Sequence, residues 1–140
     1  MKQLRQRLNS DLAELLEVYR QAVESCSEDL YTGQQRQAWA RQAGSSDAIN
    51  PPSKPLLLSL QRGSALVSCD ANGAIAAFAV REPMDRLALL YCRPEHQRRG
   101  HGRALVEAIE QQARTEGLRQ LRTEASLVST PLLELSLIHI

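Results

Sequence analysis

The segment Gln97-Arg98-Arg99-Gly100-His101-Gly102-Arg103-Ala104-Leu105 places two glycines and three arginines where an apolar run gives way to a helical pattern. The run before it, Arg86-Leu87-Ala88-Leu89-Leu90-Tyr91-Cys92, is short and closed by Arg93-Pro94, which predicts a buried strand and then a loop. After the glycines, Ala104, Leu105, Ala108, Ile109 and Ala113 recur at helical spacing, with Gly117 suited to end the helix. The first turn of a helix leaves its N–H groups unpaired and carries partial positive charge, so it receives anions readily. Gly100 and Gly102 leave the backbone from Arg98 to Ala104 open to close approach, and Arg98, Arg99 and Arg103 add charge. A solvated basic turn before a surface helix would share the bare G-x-G. A nucleotide P-loop is unsupported because no lysine follows Gly102, and a dinucleotide fingerprint fails because Leu105 stands where its third glycine belongs.

The 140 residues, with ordinary apolar content, suffice for one domain with its own core. A net charge of +1 argues against a nucleic-acid partner, because such domains are usually strongly basic. Basic character is instead local, from Arg93 to Arg103, as a small polyanionic cofactor would require. Cys26, Cys69 and Cys92 are odd in number and lack a C-x-x-C, so neither a disulfide framework nor a metal site is indicated. Cys92 reads as a small packed residue, with a covalent acyl carrier as the alternative. The N-terminus lacks the apolar core of a leader and no stretch is long enough to span a bilayer, so a soluble, cytoplasmic protein without a membrane partner is expected.

Along the chain, Lys2 to Leu8 is a candidate first strand. Asn9-Ser10-Asp11 offers capping side chains for a helix with Leu12, Leu15, Leu16, Tyr19, Ala22, Val23 and Cys26 inward. A second helix is expected from about Thr32 to Gln42, with Trp39 in the core, then a loop from Ala43 to Lys54 and a short helix at Leu56-Leu57-Leu58. Ser64 to Cys69 and Ala74 to Val80 flank Asp70-Ala71-Asn72-Gly73, a hairpin signal, and Arg86 to Cys92 adds a third antiparallel strand. The expected fold class is α+β: a mixed, mostly antiparallel sheet with helices on both faces.

Strand, Arg-Pro, Gln-x-x-Gly-x-Gly and an Ala/Leu-rich helix together resemble the acetyl-CoA-binding segment of the GNAT superfamily of N-acetyltransferases. The likeness continues through Leu118 to Leu127, similar to that superfamily's fifth strand and the turn into its fourth helix. It reaches back to Tyr31-Thr32-x-x-Gln35-x-x-x-Trp39-Ala40, similar to the second helix of one bacterial subgroup. The resemblance implies a GNAT domain over residues 1–134, lacking that superfamily's last strands. Residues 135–140, Leu-Ser-Leu-Ile-His-Ile, resemble the translation of a transposon-end adapter and read as a non-native tail; the alternative is a natural apolar edge strand or homodimer contact.

The same resemblance implies acetyl-CoA as co-substrate, with its pyrophosphate at Gln97, Arg98, Arg99, Gly100, His101, Gly102, Arg103 and Ala104. The pantetheine arm would lie between the strand ending at Cys92 and one starting near Arg119. Backbone at Leu90, Tyr91 and Cys92 would hold the arm and polarise the thioester carbonyl, a contribution of ~3 kcal/mol where comparable donors have been removed. The acceptor would be a primary amine, on a small molecule or a protein, attacking directly. Such an amine is only about a thousandth neutral at pH 7, so its deprotonation costs ~4 kcal/mol unless a base or desolvation helps. Ala88 stands where the subgroup often has an acidic residue, and Leu133 where many members have a tyrosine acid. Glu82 and Asp85 are the catalytic candidates, with the surface of a hairpin as the favoured alternative reading of both. His96 and His101 suit a supporting contact on the phosphate loop. The alternative function is a non-catalytic acyl-CoA-binding or interaction module.

Overall fold

The computed structural model describes residues 3–24, 52–81, 86–96, 99–118 and 122–123. Cys26, the expected helix at 32–42 with Trp39, the loop as far as Pro51, Glu82, Asp85, Gln97, Arg98, Arg119, Leu133 and the tail lie outside these residues.

In chain order the elements are β1 (Gln3–Gln6), α1 (Leu12–Glu24), α2 (Lys54–Arg62), β2 (Ser64–Cys69), β3 (Ile75–Arg81), β4 (Arg86–Cys92), α3 (His101–Thr115) and β5 (Arg122–Thr123). The strands form one sheet in sequence order, antiparallel from β1 to β4, with β5 parallel to β4. The mixed, mostly antiparallel α+β class is therefore observed, with α1 and α2 on one face and α3 on the other.

The sequence of β3, Ile-Ala-Ala-Phe-Ala-Val-Arg, explains how both faces are filled. Phe78 and Val80 project into the cluster with Leu15, Val18, Tyr19 and Leu60, and all six side chains are almost wholly buried. Ala77 and Ala79 face the other way, and their small size lets Leu105, Val106 and Ile109 of α3 sit close to the sheet. Each large apolar side chain buried this way contributes about 1.5–3 kcal/mol.

Two β-bulges break the strict alternation. Ser68 pairs with Ala77 but Cys69 with Ile75, so Ala76 is an extra residue on β3. Val80 pairs with Leu89 but Arg81 with Leu87, so Ala88 is an extra residue on β4. Parity switches at each bulge: Leu87, Leu90 and Cys92 pack toward α3, while Leu89 and Tyr91 pack toward α1.

Several boundaries differ from expectation for local reasons. Asn9 to Asp11 is itself a single 3-10 turn with Leu8 at the N-cap position, and Asp11 rather than Asn9 or Ser10 supplies the side chain that closes it: its Oδ2 accepts from the Leu8 N–H at 2.7 Å and from Arg5 Nη1 at 2.7 Å. Lys54 opens a nine-residue helix instead of ending a loop, because Ser53 Oγ accepts from the Leu56 N–H at 3.3 Å and Pro55 sits in the first turn. The hairpin uses a four-residue turn: Gly73 (φ +84°) donates to the Asp70 carbonyl at 3.0 Å, and Asp70 Oδ1 accepts from the N–H groups of Asn72 and Ala74. At the end of α3, Gly117 (φ +86°) donates to Arg114 and Leu118 to Ala113, a Schellman pair that the glycine makes possible. Leu118 therefore belongs to the helix stop rather than to a strand.

Candidate functional site

Gly100 adopts φ +88° and ψ 6°, the left-handed region, and α3 begins at the next residue. An L side chain there costs roughly 1–2 kcal/mol, which is why a glycine occupies the turn. The first hydrogen bond of α3 runs from the Ala104 N–H to the Gly100 carbonyl at 3.0 Å. The N–H groups of Gly102 and Arg103 come before it and have no partner within the helix. The first turn contains no acidic side chain of its own to compete for these donors. Arg99 is exposed, and exposed Arg103 sits 3.4 Å from Glu107 Oε1, a contact that water screens. Ala104 is half-buried behind the turn.

Behind this turn lies a polar chain. The first helical residue, His101, is 5% exposed, and its Nδ1 lies 2.7 Å from the hydroxyl of Ser68, which is fully buried in β2. The His96 ring meets the His101 ring edge-on, with centroids 5.4 Å apart, and His96 Nε2 is 3.5 Å from Asp70 Oδ2. Backbone donation from Asn72, then from Ala74, and the nearby histidines hold the Asp70 carboxyl below the usual carboxylate range. The His101 side chain is thus turned into the protein.

Arg93 departs from the expected basic cluster. Its backbone N–H donates to Ala76, and its Nε donates to the Ile75 carbonyl, both at 2.8 Å. Its Nη1 donates to Gln21 Oε1 at 3.2 Å and its Nη2 lies 3.5 Å from Glu14 Oε2, which also accepts from the Ile75 N–H at 2.8 Å. A bulge leaves backbone groups without ladder partners, and Arg93 and Glu14 satisfy those of Ile75 and Ala76. The guanidinium is therefore committed to joining α1 to the β3 bulge, and the basic character facing the turn begins at Arg99 among the described residues.

Along β4, Leu90, Tyr91 and Cys92 pair with Ala79, Phe78 and Ala77 on one edge. On the other edge, β5 is described only opposite Arg86 and Leu87. Tyr91 packs edge-on against Tyr19 at 4.8 Å and tilted against Phe78 at 5.9 Å, so its ring serves the core. Burial, with a smaller push from Glu95, raises the Cys92 thiol to about 11. The group is a neutral thiol at pH 7, which disfavours an acyl-carrier role. Ala88, the bulge residue of β4, brings no ionisable group. Among the described residues no cluster of three or more His, Cys, Asp or Glu is disposed to hold a metal ion, and no helix is long and apolar enough to cross a membrane.

Ser68, Asp70 and Glu14 were not singled out as site-supporting residues by sequence reasoning. Asp70 carried only a turn signal, and Ser68 and Glu14 carried none, because each matters through a partner distant in sequence.

The sheet order, the bulged fourth strand and the glycine-led helix before a parallel fifth strand make a GNAT-like α+β fold, and the chain belongs to the acetyltransferase (GNAT) family, whose sequence model matches residues 15–134. It is similar to a GCN5-related N-acetyltransferase from Rhodopseudomonas palustris, at 25% identity and a TM-score of 0.82, over 96% of this chain and 79% of that one. The PaiA N-acetyltransferase of Thermoplasma acidophilum, solved in complex with coenzyme A, matches 84% of this chain and 75% of its own, at 20% identity and TM-score 0.63. The ribosomal-protein-S18-alanine N-acetyltransferase of Escherichia coli matches 96% of this chain and 75% of its own, at 19% identity and TM-score 0.59. No curated protein matches the sequence. Family and fold together support acyl-CoA-dependent acetyl transfer as the general chemistry.

Proposed function

We propose that this protein is an acetyl-CoA-dependent N-acetyltransferase that moves an acetyl group to a primary amine, on a small molecule or a protein, by direct attack on the thioester. The observation that carries the reading is the left-handed Gly100, which opens the first turn of α3, the helix that follows β4 in the chain, and leaves the Gly102 and Arg103 N–H groups ahead of the first intrahelical bond. Such a turn fits a pyrophosphate: its donors converge, its partial charge has the right sign and Arg99 stands exposed beside it. Gln97 and Arg98 complete the proposed loop by sequence, and Ala104 backs it. The coenzyme A complex of the Thermoplasma relative supports the same ligand class.

Acetyl-CoA would supply the activated acetyl group. The contribution of this chain would be to hold the pyrophosphate at α3 and to present the β4 backbone at Leu90, Tyr91 and Cys92, on the side away from β3, to the arm. A backbone N–H on that edge, aimed at the carbonyl oxygen, would stabilise developing negative charge. Glu82 and Asp85, in the segment between β3 and β4, remain the proposed sources of a base. The chemistry fits a reducing cytoplasm, where the free Cys69 and Cys92 persist as thiols.

A second reading, an acyl-CoA-binding module without turnover, is favoured by Ala88: the β4 bulge itself carries no acid or base. Calorimetric titration with acetyl-CoA, beside a Gly100→Glu/Gly102→Glu double variant, tests the shared cofactor site. Saturable binding that the double variant loses supports the site, and binding that survives refutes it. Release of free thiol above background in a screen of amines then separates transferase from module.

A further inference from the structure

We propose that Ser68, His101, His96 and Asp70 are positioning residues that set the place and direction of the N–H donors at the start of α3, and so determine affinity for the pyrophosphate of coenzyme A. The inference rests on the cofactor site proposed above; it adds Ser68, His96 and Asp70, which would not touch the ligand, and gives the His101 side chain a role apart from its backbone.

The turn is built on the Gly100-His101-Gly102 sequence. Glycines on both sides give the turn its left-handed start and its openness, but they also give it more conformational freedom than any other pair of residues would. His101 is the only residue between them with a side chain, so it alone can tether this stretch from within. Its ring turns into the protein, and the tether is directional: Nδ1 lies 2.7 Å from the hydroxyl of Ser68. An aliphatic side chain in the same space would pack without fixing a direction, whereas a buried hydrogen bond fixes both distance and angle. Ser68 sits one residue before the register shift of β2, in the interior of the sheet, so the anchor point is rigid.

The second contact braces the ring from outside. His96, in the 3-10 turn Pro94–His96 that leads toward the glycines, meets His101 edge-on and reaches Asp70 of the β2–β3 turn. Asp70 is held in turn by the Asn72 and Ala74 N–H groups at 2.8 Å and 3.1 Å. The His101 side chain is thereby joined to two points at the end of β2, directly to Ser68 and through His96 to Asp70 two residues further on. Donors held in place before binding spare the ligand the cost of ordering them, and that saving appears as affinity.

The test measures coenzyme A affinity by calorimetry well below the melting transition, for the wild type, Ser68→Ala, Ser68→Thr, His96→Ala and Gly100→Glu. Pantetheine, which lacks the pyrophosphate, is the second probe. Ser68→Ala is expected to weaken coenzyme A about tenfold, equivalent to about 1.4 kcal/mol. Ser68→Thr, which keeps the hydroxyl, should stay within about threefold of wild type, and His96→Ala should weaken binding about threefold. Pantetheine affinity should be unchanged throughout, a split that a merely structural role would not produce. Coenzyme A binding by Ser68→Ala at wild-type strength overturns the proposal, as does an equal loss for both probes. Should Ser68→Ala fail to fold, His96→Ala decides on the same two probes. If the wild type does not bind coenzyme A, or binding survives Gly100→Glu, the cofactor site itself is refuted and the positioning role falls with it.

Discussion

Replacing Arg93 with methionine separates the structural role of this arginine from a phosphate-binding one. The substitution keeps most of the aliphatic stem and removes only the guanidinium. That group donates to the Ile75 carbonyl at 2.8 Å, to Gln21 at 3.2 Å and toward Glu14 at 3.5 Å. The bond to the Ile75 carbonyl has a charged donor and is worth about 1.5–3 kcal/mol, and the bond to Gln21 about 1 kcal/mol. The Glu14 pair is long and its carboxylate is 37% exposed, so it adds less than about 1 kcal/mol. The expected loss is about 3 kcal/mol. At roughly 3 °C per kcal/mol for a domain of this size, the midpoint should fall by about 10 °C. Thermal and urea unfolding followed by circular dichroism would measure it. Coenzyme A affinity, measured where both proteins are fully folded, should change by less than about threefold. A midpoint lowered by under about 3 °C together with a tenfold loss of coenzyme A affinity would refute the reasoning and return Arg93 to the ligand.

Gly63→Ala should destabilise by about 1–3 kcal/mol in denaturant unfolding, because the new Cβ would lie 2.3 Å from Val80 Cγ1 and 2.9 Å from the Ser59 carbonyl. Adding Val80→Ala should relieve the first of these clashes, so the double variant should lose less than the sum of the two single losses. Asp11→Asn should lower stability by about 1 kcal/mol at neutral pH. The Arg5 hydrogen bond, helped by the Leu8 N–H, holds the folded-state pKa of Asp11 below its ordinary value. A depressed carboxylate contributes stability above its unfolded pKa and loses it as pH falls through the folded one. The gap between wild type and Asp11→Asn should therefore be full above about pH 4 and close below it. A gap that is constant across an acid titration monitored by circular dichroism would show that the carboxylate charge is not the source.

The parts of this fold legible in the sequence are those written within a few residues. The apolar run 86–92, the helix after Gly100 and the stop at Gly117 follow from periodicity and from φ angles that only glycine adopts comfortably. The Asp70–Gly73 turn is local in the same sense. The β-bulges were not legible, since Ala76 and Ala88 look like any other small strand residue. What makes them extra is the register that a neighbouring strand imposes. Local pattern also missed Val18, which is wholly buried in α1, because the expected inward face stepped from Leu16 to Tyr19.

The candidate site divides along the same line. That a glycine flanked by arginines opens the first turn of a helix was legible in the sequence alone, because the freedom of a glycine and the unpaired N–H groups of a first turn belong to the local chain. Which arginine faces the turn was decided by tertiary structure, which draws Arg93 away to Glu14, 79 residues distant in sequence. Tertiary structure likewise decided that His101 is a tether, since its partner Ser68 lies 33 residues away in the chain and becomes a neighbour only once β2 is packed beneath α3. Hydrogen bonds of this kind are chosen by proximity and by exclusion of water, and both exist only after the core has formed.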